Sequence, residues 1–288
     1  MDRIDIDGIG IAYELIGKAG DPAISLTPGG RFCMDVPGLH DFAEALAAGG
    51  RRVLIWDRPN CGHSDTALRG SSESETQAQV LSALIRKLDL GPAVIAGGSG
   101  GARVSMLAAA RDPEICSHLA VWWVSGGPIG LMQLATFYCG EAADAASKGG
   151  MKAVLETASW AEHVGRNAQA RDKLLAMEPR NFIAKMQQWA SIYVPSDVTP
   201  VPGMSQGDFA RLTMPVMVFR SSETDLSHTR ATSEWVHRLI PHSSMAEPPW
   251  RDDEWNHQTQ RQAAGDVGVT IFTSWPMLAP QILDFVSK

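Results

Sequence analysis

The stretch "AVIAGGSGGARVSMLAAAR", residues 93–111, constrains the fold more than any other. A short apolar run reads as a buried strand. It enters Gly97-Gly98-Ser99-Gly100-Gly101, and a helical sequence follows at once. A chain that passes from strand to helix so abruptly must turn sharply, and the turn leaves no room for side chains flanking Ser99. The serine oxygen is then presented at the C-terminal edge of a sheet. Backbone N–H groups and the positive end of the helix dipole lie beside it. The Gly100 N–H becomes a candidate donor to an oxyanion. G-x-S-x-G by itself also fits a flexible glycine loop. The strand before it and the helix after it favour an exposed nucleophile.

The rest of the chain repeats the same alternation. "RIDIDG" and "IGIAYELIG" read as strands, "AISLTPGGR" as a short strand ending in a turn, and "FAEALAAGG" as a helix stopped by Gly49. "RRVLIWDRPNCGHSD" is a buried strand running into a polar loop. "SESETQAQVLSALIRKLDLG" opens with Ser/Glu cap chemistry and carries an apolar face through Val80, Leu81, Leu84, Ile85 and Leu88. "HLAVWWVSGG" is a further strand, on which Trp122 and Trp123 should face opposite sides. From about Pro128 to Leu212 no strand is evident, and the segment is helical and rich in Met and aromatic residues. The rhythm resumes with strand "PVMVFRSS", helix "TRATSEWVHRLI", a short strand at "SMAEPPW" and helix "APQILDFV". This order predicts an α/β fold: a mostly parallel, doubly wound sheet with a helical cap inserted between two strands. Residues 1–127 and 213–288 form the core, and 128–212 the cap.

Composition narrows the function classes. With 288 residues, 44% hydrophobic and 20% charged, the chain suits one large domain with an insertion. A net charge of −7 disfavours nucleic acid and an anionic membrane surface as partners. Cys33, Cys61, Cys116 and Cys139 show no metal-ligand spacing and read as reduced thiols in a cytoplasmic protein. Neither a signal peptide nor a membrane-spanning helix is expected. No phosphate loop, dinucleotide fingerprint or metal-ligand spacing occurs, so no cofactor and no metal are expected.

These motifs together resemble the α/β-hydrolase superfamily, and the resemblance runs nearly the whole length. "LTPGGR" (26–31) is similar to its oxyanion segment, and "WDRPNCGHSD" (56–65) to its D-x-R/P-G-x-G-x-S loop. "GGSGG" with the latter comes closest to the proline-iminopeptidase-like and meta-cleavage-hydrolase-like branches. Two departures stand out. The iminopeptidase elbow has Trp where Gly100 stands, and Thr27-Pro28 replaces His-Gly. Pro28 has no N–H to donate, so the second oxyanion donor should be Gly29 or Gly30.

The resemblance implies the order serine, acid, histidine. "PVMVFRSSETDLSHT" offers Asp225, with Glu223 as the alternative acid. "D-L-S-H" is similar to a family turn in which the histidine has a surface or supporting role, which assigns that role to His228. The base is expected after the last strand, where His257 is the only histidine. A second alignment, anchored on the final helix, puts Gly268-Val269 at that position and leaves no catalytic histidine. Arg58 and Arg103 are candidates to meet a substrate carboxylate or to form structural ion pairs, and His63 is a candidate substrate contact.

The expectation is a cofactor-free serine hydrolase acting on a small, hydrophobic ester or lactone, with Ser99, Asp225 and His257 as triad and Gly29, Gly30 and Gly100 as oxyanion hole. A C–C bond hydrolase of aromatic catabolism and a prolyl aminopeptidase are the alternatives within that chemistry. A non-hydrolytic enzyme on the same fold, or a ligand-binding protein with a degraded triad, stands outside it. The expected partner is a small-molecule substrate, and a homodimer is compatible with the chain.

Overall fold

A computed structural model describes residues 1–288. Eight strands form one sheet: β1 (Asp2–Ile6), β2 (Ile9–Ile16), β3 (Ala23–Thr27), β4 (Arg52–Trp56), β5 (Ala93–Gly98), β6 (Cys116–Trp122), β7 (Val216–Phe219) and β8 (Ser244–Ala246). Their order is β1-β2-β4-β3-β5-β6-β7-β8. β1 pairs antiparallel with β2, and β2 with β4; every pairing from β4 to β8 is parallel. The parallel part is buried on both faces, which is why β3 and β5 read as unbroken runs of small and apolar residues.

The connecting helices are α1 (Leu39–Ala48), α2 (Glu73–Lys87) and α3 (Gly100–Arg111). The Ser/Glu signal at the start of α2 is a working cap: Ser72 Oγ accepts from the Glu75 N–H at 3.1 Å. Two cores result. One face of the sheet joins α2 and α3 through residues such as Leu54, Leu81, Ile95, Val104 and Leu119. The other packs Ile24, Phe42, Val53, Trp122 and Trp275 against α1 and the C-terminal helix.

Between β6 and β7 the chain forms only helices: α4 (Pro128–Ala135), a π-helical turn (Thr136–Gly140), α5 (Glu141–Val154), α6 (Ala161–Arg166), α7 (Ala168–Leu175), α8 (Pro179–Ala190) and α9 (Gln206–Ala210). This insertion has its own core, from Leu131 to Tyr193, built on Trp160, Phe182, Met186 and Trp189. Its return segment behaves differently. Val201, Met204, Phe209 and Leu212 pack into the core of the sheet. The independent helical layer therefore ends before residue 212. After β7 come α10 (Arg230–Leu239), α11 (Glu254–Ala263) and α12 (Ala279–Phe285).

The two tryptophans do not take opposite faces. β6 ends at Trp122, and Trp123 adopts φ +46. The backbone leaves strand geometry there, so the alternation that would separate them stops. Both rings pack on Trp275, with centroids at 4.8 and 6.0 Å.

Candidate active site

Ser99 sits between β5 and α3 at φ 56, ψ −125. A non-glycine residue holds such a conformation only where its surroundings enforce it. Here the Ser99 N–H donates to the Trp122 carbonyl at 3.1 Å, and the Ser99 carbonyl accepts from Ala102 at 3.0 Å. The neighbours must be glycines. A Cβ at 98 would enter the Trp122 and Trp275 indoles, and one at 101 would overlap the Thr27 carbonyl. Register brings the oxyanion segment alongside, because Thr27 pairs with Gly97 and the chain leaves β3 directly beside the elbow.

Gly29 lies against Ser99: a Cβ there would stand 2.6 Å from the serine Cβ. Gly30 lies close to Gly100, its nitrogen 3.4 Å from where a Gly100 Cβ would be. Arg58 holds this segment in place. It is fully buried and donates to the carbonyls of Gly29, Gly30 and Phe32 at 3.1, 2.8 and 3.3 Å. Its guanidinium thus bonds to these carbonyls rather than to Asp57. The Asp57 carboxylate instead accepts from the backbone N–H groups of Met34 and His63, both at 2.7 Å. The residues lining the site do not include His63.

The imidazole beside Ser99 is that of His228, and His257 is elsewhere. His228 Nε2 lies 2.8 Å from Ser99 Oγ, and its Nδ1 lies 2.8 Å from Asp225 Oδ2. The acid and the histidine stand three residues apart in the β7–α10 connection. Asp225 Oδ1 accepts from the backbone N–H groups of Ser227 at 2.8 Å and His228 at 3.0 Å. That local turn folds the chain back on the carboxylate and delivers the ring to its second oxygen. The signal was present as D-x-x-H in a turn.

His257 fails for a geometric reason. It lies on α11, whose residues Trp255, Thr259 and Gln262 line the pocket. These are spaced four and three apart on one helix face; a residue two positions from Trp255 points away. Its Nδ1 is buried without a hydrogen-bond partner. Glu223, the alternative acid, is at the surface, bridged to Arg230 at 2.7 Å.

The electrostatics of the pair are consistent. Burial raises the Asp225 pKa, but the facing His228 and the hydrogen bonds from its ring and from both backbone N–H groups outweigh it, leaving the carboxyl below its ordinary value. With Asp225 ionised, Nδ1 carries the proton donated to it, and Nε2 is free to accept from the serine hydroxyl. Trp255 meets the ring edge-on at 4.4 Å and Trp123 lies near-parallel at 6.2 Å, fixing its orientation.

A cavity of about 260 Å³ opens over Ser99 and His228. Phe32, Leu134, Phe137, Tyr138, Trp255 and Ile271 supply its apolar wall, and Gln133, Ser227, Thr259 and Gln262 its polar positions. None of its lining side chains carries a fixed charge. Larger clefts, including one of about 460 Å³ between α4 and α10, contain no such chain of nucleophile, base and acid. Arg103, like Arg58, is committed within the protein: its Nε donates to Ser74 Oγ at 2.8 Å and its Nη2 to the Tyr193 hydroxyl at 3.2 Å. Arg31 pairs with buried Glu73 at 3.2 Å under the insertion. No cluster of His, Cys, Asp and Glu is arranged to hold a metal ion, and no helix is long and apolar enough to cross a membrane.

Comparison with known proteins agrees with this architecture. Residues 32–121 match the model of the alpha/beta hydrolase fold family. The chain is 30% identical over 132 residues to the sn-1-specific diacylglycerol lipase ABHD11 of Mus musculus, covering 45% of this chain and 41% of that protein. It is 28% identical over 119 residues to the 2-hydroxy-6-oxononadienedioate/2-hydroxy-6-oxononatrienedioate hydrolase of Burkholderia vietnamiensis, covering 41% of each. The matches thus span less than half the length of these curated relatives. Among solved structures, the enol-lactonase from Burkholderia xenovorans aligns over 100% of both chains, with TM-score 0.63 and 18% identity. Est816, described as an N-acyl homoserine lactone degrading enzyme, aligns over 92% of this chain and 100% of its own, with TM-score 0.55 and 19% identity. Sheet order, elbow and matched segment point the same way: the chain has the α/β-hydrolase fold.

Proposed function

We propose that the chain is a serine hydrolase of small, uncharged, apolar esters or lactones. The observation that carries the reading is the continuous chain Asp225–His228–Ser99, with both links at 2.8 Å. Ser99 Oγ attacks the substrate carbonyl while His228 Nε2 takes its proton. The carbonyl oxygen becomes an oxyanion, held by the N–H groups of Gly30 and Gly100 at the positive end of α3. His228 returns the proton to the departing alkoxide, leaving an acyl group on Ser99. Water then repeats the sequence: His228 takes its proton, hydroxide adds to the acyl carbon, and Ser99 leaves with the proton restored. Asp225 keeps Nδ1 protonated and stabilises the imidazolium at each stage. The helical insertion serves as the cap, contributing Gln133, Leu134, Phe137 and Tyr138 to the pocket.

The substrate class follows from the lining. An apolar wall around about 260 Å³ favours a compact acyl group, and the absence of any lining cation disfavours a carboxylate beside the reacting carbonyl. The curated relatives named for a dioate substrate act on dianions. Here Arg58 and Arg103, the cations near the elbow, are spent on backbone and tyrosine oxygens. This favours a neutral ester or lactone over C–C cleavage of a diacid.

The test is labelling with a fluorophosphonate, followed by peptide mapping, in the native chain and in Ser99→Ala, His228→Gln and His257→Gln. A single adduct on Ser99, slowed in His228→Gln and unchanged in His257→Gln, supports the reading. Labelling that needs His257 rather than His228, or ester turnover that survives Ser99→Ala, overturns it.

A further inference from the structure

We propose that the Tyr138 hydroxyl is a third donor of the oxyanion hole, admitted there by the missing side chain at residue 100. The inference rests on the serine-hydrolase reading and adds a catalytic residue to it. A Cβ on Gly100 would come within 2.6 Å of the Tyr138 hydroxyl oxygen, 3.4 Å of the Gly30 nitrogen and 3.8 Å of Arg103 Nη2. The two backbone donors of the hole and the phenol therefore converge beside one atom position. Any side chain at 100 would expel the hydroxyl. Tyr138 also lines the cavity over Ser99, on the same side as Gly30.

The tyrosine is held there from several sides. It occupies the π-helical turn Thr136–Gly140, where the extra residue per turn rotates the side chain out of α-helical register toward the site. Its backbone carbonyl accepts from Arg31 Nη2 at 3.1 Å. Its ring stacks on Tyr193, with centroids at 6.0 Å and planes 6° apart. The guanidinium carbons of Arg103 and Arg31 lie 5.5 and 5.7 Å from its centroid. These cations supply only donors, so they engage the π face and lone pairs of the phenol and leave its proton for an outside acceptor. Arg103 Nη1 is itself buried and unpartnered, and its Nη2 lies 3.8 Å from the same Cβ position, which puts positive charge beside the hydroxyl. As the carbonyl oxygen gains charge, the O–H strengthens its hydrogen bond. No proton is transferred; the phenol leaves the cycle unchanged.

The experiment is Tyr138→Phe, which removes one oxygen, assayed with a neutral aryl acetate and with a trifluoromethyl ketone inhibitor whose serine adduct carries an oxyanion. A fall in kcat on the order of 10²-fold is expected. KM should stay within threefold, and ketone affinity should weaken in parallel with kcat. A tyrosine that only supports the cap would move KM or thermal stability instead. A kcat loss below tenfold, or ketone affinity unchanged, overturns the proposal. Should Tyr138→Phe fail to fold, Gly100→Ala carries the test: its Cβ displaces the hydroxyl, and full turnover in that variant overturns the proposal equally. Ser99→Ala separates the two levels. Turnover surviving in Ser99→Ala defeats the hydrolase reading, whereas an inactive Ser99→Ala beside a fully active Tyr138→Phe defeats the tyrosine alone.

Discussion

Replacing His228 with Gln tests the site most directly. The imidazole is the only group within hydrogen-bond reach of both Ser99 Oγ and Asp225 Oδ2. Without it the serine hydroxyl has no proton acceptor, and only the backbone donors and substrate binding continue to act. Loss of the base from such a triad lowers kcat by roughly 10⁴- to 10⁶-fold, or about 5–8 kcal/mol in the barrier. The same change weakens the fold slightly. Asp225 is buried and keeps two backbone donors but loses its ring partner, which costs about 1–3 kcal/mol. His257→Gln, on the face of α11 turned from the pocket, should leave turnover within about threefold, as a partly exposed substitution away from the site does. Initial rates on an aryl acetate, beside urea unfolding of each variant, measure both effects. More than a tenth of native turnover in His228→Gln, or a hundredfold loss in His257→Gln, refutes the geometric assignment.

Further outcomes are expected. His163 is buried with its nitrogens on Thr66 Oγ1 at 2.9 Å and the Gly62 carbonyl at 3.1 Å, and burial pushes its pKa from 6.5 down to about 4. Between those values the unfolded chain binds a proton that the folded chain does not, so stability rises with pH. Its contribution is complete above 6.5 and about 3 kcal/mol of it is lost by pH 4, a slope that urea titrations should find diminished in His163→Gln. Glu73→Ala strands the buried Arg31 guanidinium and the Asn60 amide bonded to that carboxylate at 2.9 Å, and should lower unfolding free energy by about 3–5 kcal/mol; a loss under 1 kcal/mol in chemical denaturation contradicts that. Adding a carboxylate to the acyl chain of an otherwise equal ester should depress kcat/KM by at least 10²-fold, since the cavity offers it no cation; equal kcat/KM values for the two esters contradict the neutral-substrate assignment.

The architecture was legible because its causes are local and periodic. β3, β5 and the face of α2 announce themselves through apolar spacing, and the glycines about Ser99 are required by atoms within a few residues or one register step. The histidine was not. The resemblance placed the base after β8, and D-L-S-H was given a supporting role. What decides the matter is a side-chain turn: Asp225 captures the N–H groups of Ser227 and His228, and three residues of separation then suffice to close acid on base. Glu73, Arg31 and Tyr138 converge from the start of α2, the loop after β3 and the insertion, and no spacing within the sequence encodes such a meeting.

Carrying acid and histidine on one four-residue turn divides the labour of the molecule unusually. The hydrogen-bonded chain is complete with the elbow and residues 225–228, so the long excursion from β8 to α12 holds no part of it. That excursion nevertheless furnishes Trp255, Thr259, Gln262 and Ile271 to the cavity. This part of the pocket wall and the Asp225–His228–Ser99 chain therefore reside on separate stretches of polypeptide. On the proposed reading, a library of substitutions at residues 259, 262 and 271 should retune selectivity while leaving the Asp225–His228–Ser99 chain untouched.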